Sequence, residues 1–238
     1  KVGDLLNALE EAGFKDNTIV VFTADHGDML GERGMWFKMS FLEHSARVPL
    51  IVHAPSRYSA RRATEAVSLM DLMPTLVDMA TDGSSTGYAT PLEGRSLMPH
   101  LFGEQGHDEA IGEYFAEGTD TPIFMIRRGS IKAIYSDKDP LQLFDVIQDP
   151  DETKNLTSSP SYATTAQSMI DEIKSRYDTA ALTERVLESQ HRRALLKTVM
   201  LKQSLAWDHE PASHATSSYI RNNMPAYELE KRARFPSV

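Results

Sequence analysis

Apolar residues Val2, Leu5, Leu6 and Leu9 recur at helical spacing, which predicts an amphipathic helix over residues 2–12, stopped at Gly13. Asp16 and Asn17 supply a turn, and residues 18–24 (Thr-Ile-Val-Val-Phe-Thr-Ala) follow as a near-continuous β-branched and apolar run. Such a run is expected of a strand covered on both faces in a parallel sheet. A helix feeding a buried strand predicts an α/β protein built on part of a doubly wound, mostly parallel sheet. A second apolar run spans 48–52 and ends at His53-Ala54-Pro55, and a helix is expected over 69–80 with Ser68 or Asp71 near its start. Residues 81–90 turn to Gly, Ser and Thr and read as a loop.

From about Ala110 the pattern changes to short strands at 124–127, 131–135 and 141–144, with Arg128-Gly129-Ser130 as a hairpin turn between the first two. They predict a small antiparallel sheet appended to the α/β part. A turn from Asp149 to Leu156 leads into helices over 163–177 and 182–204. After Trp207 the chain becomes irregular, with Pro211 and Pro225, and closes with a short helical stretch over 227–234. The expected organisation is therefore an α/β core over 1–108, a small α+β unit over 109–180, and a helix with an extended tail over 181–238.

The 238 residues are 41% hydrophobic and 25% charged, which suits a globular chain with a sizeable core. A net charge of −9, with the basic residues only in short runs such as Arg127-Arg128 and His191-Arg192-Arg193, argues against a nucleic-acid partner. No apolar stretch approaches the length of about 18 residues that would span a membrane. With no cysteine, disulfides and Cys-based metal sites are excluded, which fits a reducing, cytoplasmic setting. The chain opens at Lys1, without a Met and already inside a helix, so it is expected to be one piece of a longer protein whose missing N-terminal portion is its first partner.

The densest chemistry is Asp25-His26-Gly27-Asp28, placed where the first strand ends. In open α/β sheets, ligands bind just beyond the carboxyl ends of strands. An adjacent Asp and His can both turn toward one cation, giving it a hard oxygen and an imidazole nitrogen. The same pair also suits a plainer role, with Asp25 capping the loop and His26 packed beneath it.

The residues that follow add weight to the first reading. Asp25-His-Gly-Asp-Met-Leu-Gly-Glu-Arg-Gly-Met-Trp-Phe-Lys38-Met-Ser, then Glu43 and Ala46-Arg-Val-Pro-Leu-Ile-Val52, resemble the second signature of the sulfatase and phosphonate-hydrolase branch of the alkaline phosphatase superfamily. The resemblance implies that Asp25 and His26 are two ligands of a single divalent metal, Ca2+ first and Mn2+ as the other candidate. It also implies that Lys38 contacts the sulfate and offsets charge on the leaving oxygen, as a fixed cation would. Arg47 is expected to brace the loop against the next strand, and His44 and His53 to be structural. The family's nucleophile is a formylglycine hydrate made from a Cys or Ser far upstream. This chain has no Cys, and no Ser in a Ser/Cys-x-Pro-x-Arg context, so no nucleophile lies within it and the piece alone is expected to be inactive.

The later segments narrow the resemblance. Glu113-Tyr-Phe-Ala-Glu117-Gly, Met125-Ile-Arg-Arg-Gly129, Gln142-Leu-Phe-Asp145 and Asp149-Pro-Asp-Glu152 resemble the C-terminal subdomain of many sulfatases. Trp207-Asp-His-Glu-Pro211, Tyr219-Ile-Arg-Asn222 and Arg232-Ala-Arg-Phe-Pro236 resemble the C-terminal extension of choline sulfatases, which in that family contributes to oligomer contacts. The implied reaction is hydrolysis of a sulfate ester, choline sulfate to choline and sulfate, by a homo-oligomer (dimer or tetramer). A quaternary ammonium is held by aromatic faces and carboxylates, which makes Trp36, Tyr114 and Glu117 candidates for substrate binding. Two other readings stand beside this one. The first is a phosphonate or phosphate monoester hydrolase of the same superfamily. The second is a non-catalytic structural chain.

Overall fold

The structure is a computed structural model that describes residues 1–84, 87–115 and 119–202. Helix α1 (Val2–Glu11) ends as expected, with Gly13 in the left-handed region (φ 75°) and Gly13 and Phe14 donating back to the carbonyls of Glu10 and Leu9. Strand β1 (Val20–Thr23) is followed by the loop bearing the Asp-His-Gly cluster, a single helical turn α2 (Glu43–Ala46), and strand β2 (Leu50–His53). Helix α3 (Leu72–Thr81) starts from a 3-10 turn in which Ser68 and Asp71 form a capping box. A short helix α4 (Met98–Phe102) precedes the second sheet.

The run 18–24 implied parallel neighbours covering both faces. The partner that the chain places beside β1 is β2, and the pair is antiparallel, with Val20 opposite His53 and Thr23 opposite Leu50. The reason is the connection. A parallel partner needs a crossover that carries the chain back along the sheet, usually a helix. Here the loop and α2 stay at the carboxyl end of β1, so β2 must run the other way. Both strands keep large apolar side chains open on one side, Phe22 at 43% and Ile51 at 57% exposure.

The second sheet contains β3 (Glu109–Tyr114), β4 (Ile123–Arg128), β5 (Ile131–Tyr135) and β6 (Gln142–Asp145) as an antiparallel meander in sequence order. Gly129 turns the β4–β5 hairpin with φ 58°. Side chains alternate between two faces, as the pleat requires. Phe124, Ile126, Ala133, Tyr135 and Leu143 face helix α5 (Ala163–Arg176), which meets them with Ala166, Met169 and Ile173 at i, i+3 and i+7. The opposite face carries Ile134 and Phe144, packed with Val146 against Met29 and Leu42 from the segment after β1. That segment lies close enough to the sheet that a β-carbon at Gly112 of β3 would collide with the Phe41 ring. The small sheet is thus a platform between α5 and the Asp-His-Gly loop. Helix α6 (Thr179–Lys202) completes the described chain, and no described helix is long and apolar enough to cross a membrane.

Candidate functional site

The site is built where β1 ends. Gly27 donates its N–H to the carbonyl of Ser45 (2.8 Å), tying the strand end to α2. A β-carbon at position 27 would fall inside the van der Waals shell of the His44 carbonyl oxygen, so the approach of the two backbones requires glycine. The Ser45 hydroxyl, buried, donates to the carbonyl of Lys38, and Ser40 Oγ accepts from Leu42 N (3.0 Å). Between these ties the chain folds back on itself, Met29, Leu30 and Gly31 donating to the carbonyls of Phe37, Trp36 and Met35. The tip needs left-handed backbone at Leu30, Gly31, Arg33 and Gly34, which explains two of the glycines in the motif.

This fold-back brings Asp25, His26 and Lys38 together. The Asp25 carboxylate accepts from His26 N (3.0 Å), and its other oxygen lies 3.3 Å from His26 Nε2. His26 Nδ1 lies 2.8 Å from the Gly27 carbonyl oxygen. A carbonyl can only accept, so Nδ1 carries the proton and Nε2 is left with its lone pair. Lys38 Nζ donates to that lone pair at 3.0 Å. His26 Nε2 is therefore the meeting point, with the Lys38 ammonium and an Asp25 carboxylate oxygen each beside it. The His26 backbone hydrogen bond, with help from the Lys38 charge, holds the Asp25 carboxyl below the usual carboxylate range.

The donor chemistry fits two ligands of a divalent cation. A metal-binding histidine commonly donates its second ring N–H to a carbonyl, which fixes the tautomer that offers the other nitrogen. His26 has this arrangement with Gly27. Among the described residues, no group of three or more His, Cys, Asp or Glu side chains gathers that could hold a metal ion. Asp25 and His26 are therefore at most part of a ligand set.

The other expected residues are placed as follows. Trp36 is on the return limb of the loop, 44% exposed, with its indole near Gly31. Tyr114 ends β3 in register with Ile123, so its position is set by the small sheet rather than by the loop. Glu117 and the tail motifs between Trp207 and Pro236 lie outside the described residues. Arg47 does not brace the strand. Its side chain is 70% exposed and reaches back one turn to Glu43 (4.0 Å), because Ser45 and Gly27 already close that contact. His44 contributes its backbone carbonyl, and the His53 side chain is exposed at the end of β2. Sequence reasoning missed Ser45, and no spacing signal distinguishes it from any other serine.

Comparison with known proteins gives two family matches, Sulfatase over residues 1–82 and Choline sulfatase enzyme C terminal over residues 184–235. The choline-sulfatase of Rhizobium meliloti (strain 1021) is 38% identical over 241 residues, covering 99% of this chain and 46% of the relative. Arylsulfatase K of Danio rerio is 34% identical over 66% of this chain and 31% of its own length. Among solved structures, BT4656 in complex with its substrate D-glucosamine-2-N,6-O-disulfate aligns with a TM-score of 0.62 at 30% identity, over 77% of this chain and 38% of that one. The phosphonate monoester hydrolase of Agrobacterium radiobacter aligns with a TM-score of 0.62 at 25% identity, with the same coverage. The chain spans less than half the length of these relatives.

Proposed function

The chain belongs to the sulfatase family, and from that premise we propose that it is the C-terminal portion of an enzyme that hydrolyses a sulfate ester, with choline sulfate as substrate. The observation that supports this best is the convergence of Asp25, His26 and Lys38 at the end of β1, within the segment that matches the sulfatase family. The choice of choline sulfate rests on the match of residues 184–235 to the choline sulfatase C-terminal family and on the 38% identity to a choline-sulfatase.

In this reading Asp25 and His26 hold one divalent cation, Ca2+ or alternatively Mn2+, together with ligands from a portion of the enzyme outside this chain. The cation, when bound, supplies positive charge that polarises sulfate oxygens. The nucleophile, a formylglycine hydrate, also comes from outside this chain. The residues present here orient and neutralise. The Gly27 carbonyl keeps His26 in the tautomer whose Nε2 faces the site. The Lys38 ammonium, held at that same point, is placed to turn to a sulfate oxygen or to the leaving oxygen and stabilise charge as it develops there. Trp36 and Tyr114 are proposed to line the approach of the quaternary ammonium, with Glu117 as its counter-charge. The open apolar side chains of α6, Leu195 at 65% and Leu196 at 56% exposure, support assembly into a homo-oligomer.

The phosphonate monoester hydrolase structure carries a second reading on the same fold. Substrate comparison separates the two. The intact enzyme is expected to release sulfate from choline sulfate with kcat/KM at least about 100-fold above that for a phosphonate monoester, equivalent to about 2.7 kcal/mol of differential transition-state binding. Preference for the phosphonate would overturn the assignment.

A further inference from the structure

A buried charge cluster lies directly behind the site loop, and it includes none of the residues assigned above. Lys132, in the middle of β5, is 1% exposed, in a strand that otherwise reads Ile-Ala-Ile-Tyr. Its register partner on β4 is Arg127, so two cations stand side by side on the sheet face that meets the loop. Like charges opposed in a ladder repel, and a buried ammonium without partners is strongly disfavoured. Two carboxylates resolve both problems. Glu43, from α2, places Oε1 2.8 Å from Lys132 Nζ and Oε2 3.6 Å from Arg127. Glu152, 1% exposed, forms an ion pair with Lys132 through Oε1 and accepts the Glu43 backbone N–H through Oε2 (2.6 Å). Lys132 also donates to the Phe41 carbonyl (2.8 Å). The cluster balances two positive against two negative charges, and neither carboxylate comes from the sheet.

Both attachments run to the site. Phe41 and Glu43 flank Leu42, which packs with Met29 of the loop. Two residues on, Ser45 holds the Lys38 carbonyl with its hydroxyl and the Gly27 N–H with its own carbonyl. A second tie reaches the loop tip, where Arg33 donates to the carbonyls of Asp151 (3.0 Å) and Glu152. Glu152 itself sits in the left-handed region at φ 53°, a conformation that costs a non-glycine residue energy and persists where its surroundings fix it.

We propose that Lys132, acting through Glu43 and Glu152, is a positioning residue that sets the loop carrying His26 and Lys38. It touches neither substrate nor metal. The small antiparallel sheet thereby becomes part of the catalytic apparatus rather than an appendage. The inference rests on the functional reading above for its kinetic consequence, and on the contacts alone for its effect on the loop.

The test uses the intact enzyme containing this chain and the variants Lys132→Met and Glu152→Gln, each made also in a Lys38→Ala background. Turnover of choline sulfate and backbone hydrogen exchange of residues 25–40, against residues 163–176 of α5 as control, are measured together. A loop displaced by a fraction of an ångström is expected to lower kcat by about tenfold or more. If Lys132 acts through the loop, the further loss in the Lys38→Ala background is clearly smaller than the loss in the wild type, because the two changes share part of one pathway. Exchange over 25–40 quickens while α5 stays protected. Equal losses in both backgrounds, or unchanged exchange over 25–40 in a folded variant, overturns the proposal. Should Lys132→Met fail to fold, Glu152→Gln carries the same expectations, since it removes one charge and retains an acceptor. Should the wild type cleave no sulfate ester, the functional reading fails and the exchange comparison alone decides the positioning role.

Discussion

At Gly27 two backbones meet with no space for a β-carbon, and the consequence is sharp for a single methyl group. Gly27→Ala must push α2 away from the end of β1. It is expected to cost about 1–3 kcal/mol of stability as an overpacking substitution. It should also displace Ser45 and with it the Lys38 carbonyl, so turnover should fall further than the loss of folded protein explains. Thermal unfolding and kcat measured on the same preparations check this. Ser45→Ala removes only the hydroxyl tie to Lys38. It should lower kcat about tenfold or less while leaving the unfolding midpoint within a few degrees, since one hydrogen bond contributes about 1 kcal/mol. At this scale the candidate site was half legible. Asp25, His26 and Lys38 were singled out because their spacing carries the motif, and the structure sets Asp25 and Lys38 each beside His26 Nε2. Glu43, Lys132 and Glu152 were not read as a group. They come from three distant segments, and only a lysine inside an apolar strand hinted that a buried partner was required.

Elements were legible where periodicity was strong. Helices α1, α3 and α5 and strands β4 to β6 lie close to their expected positions, because each has an apolar face with a clear period; α6 also lies close to its expected position, although its apolar residues follow no single face. Strand β3 was missed. Glu109-Ala-Ile-Gly-Glu-Tyr114 has few β-branched residues, and its glycine is there to admit the Phe41 ring rather than to make a turn. The docking of α5 gives two predictions. Ile173 is fully buried against Phe124 and Ile126, so Ile173→Ala should destabilise by about 2–5 kcal/mol, measured by urea unfolding. On the same helix, Glu172 pairs with Arg128 of β4 and with Arg176. Arg128 first, and Arg176 after it, hold the Glu172 carboxyl below its usual value. A carboxyl whose folded pKa is depressed adds stability above its unfolded pKa of about 4.3 and loses that contribution as pH falls through the lower folded value. Glu172→Gln should therefore flatten the acid limb of stability below about pH 4.5 and change little in its slope above that. An unchanged acid limb would show that the pair is screened to no effect.

Taken whole, the chain joins a two-stranded ladder carrying the site loop to a four-stranded sheet that backs it. The sheet direction at β1 was not legible, because an apolar run reports burial and not the direction of its neighbour. Phe22 and Ile51 remain open on the ladder, and Leu195, Leu196, Val199 and Met200 on α6. If α6 joins copies of the enzyme, Leu196→Lys with Val199→Lys should shift the native mass toward the monomer, as read by light scattering. The chain spans 46% of the choline-sulfatase it matches, so the central claim belongs to the intact enzyme. The most direct measurement is choline sulfate hydrolysis by that enzyme, wild type beside Lys38→Ala and His26→Ala. Loss of a fixed cation or a metal ligand at a developing charge is expected to lower kcat by about 100- to 1,000-fold with the fold intact. Variants that turn over like the wild type would contradict the assignment of this loop as the site of sulfate-ester cleavage.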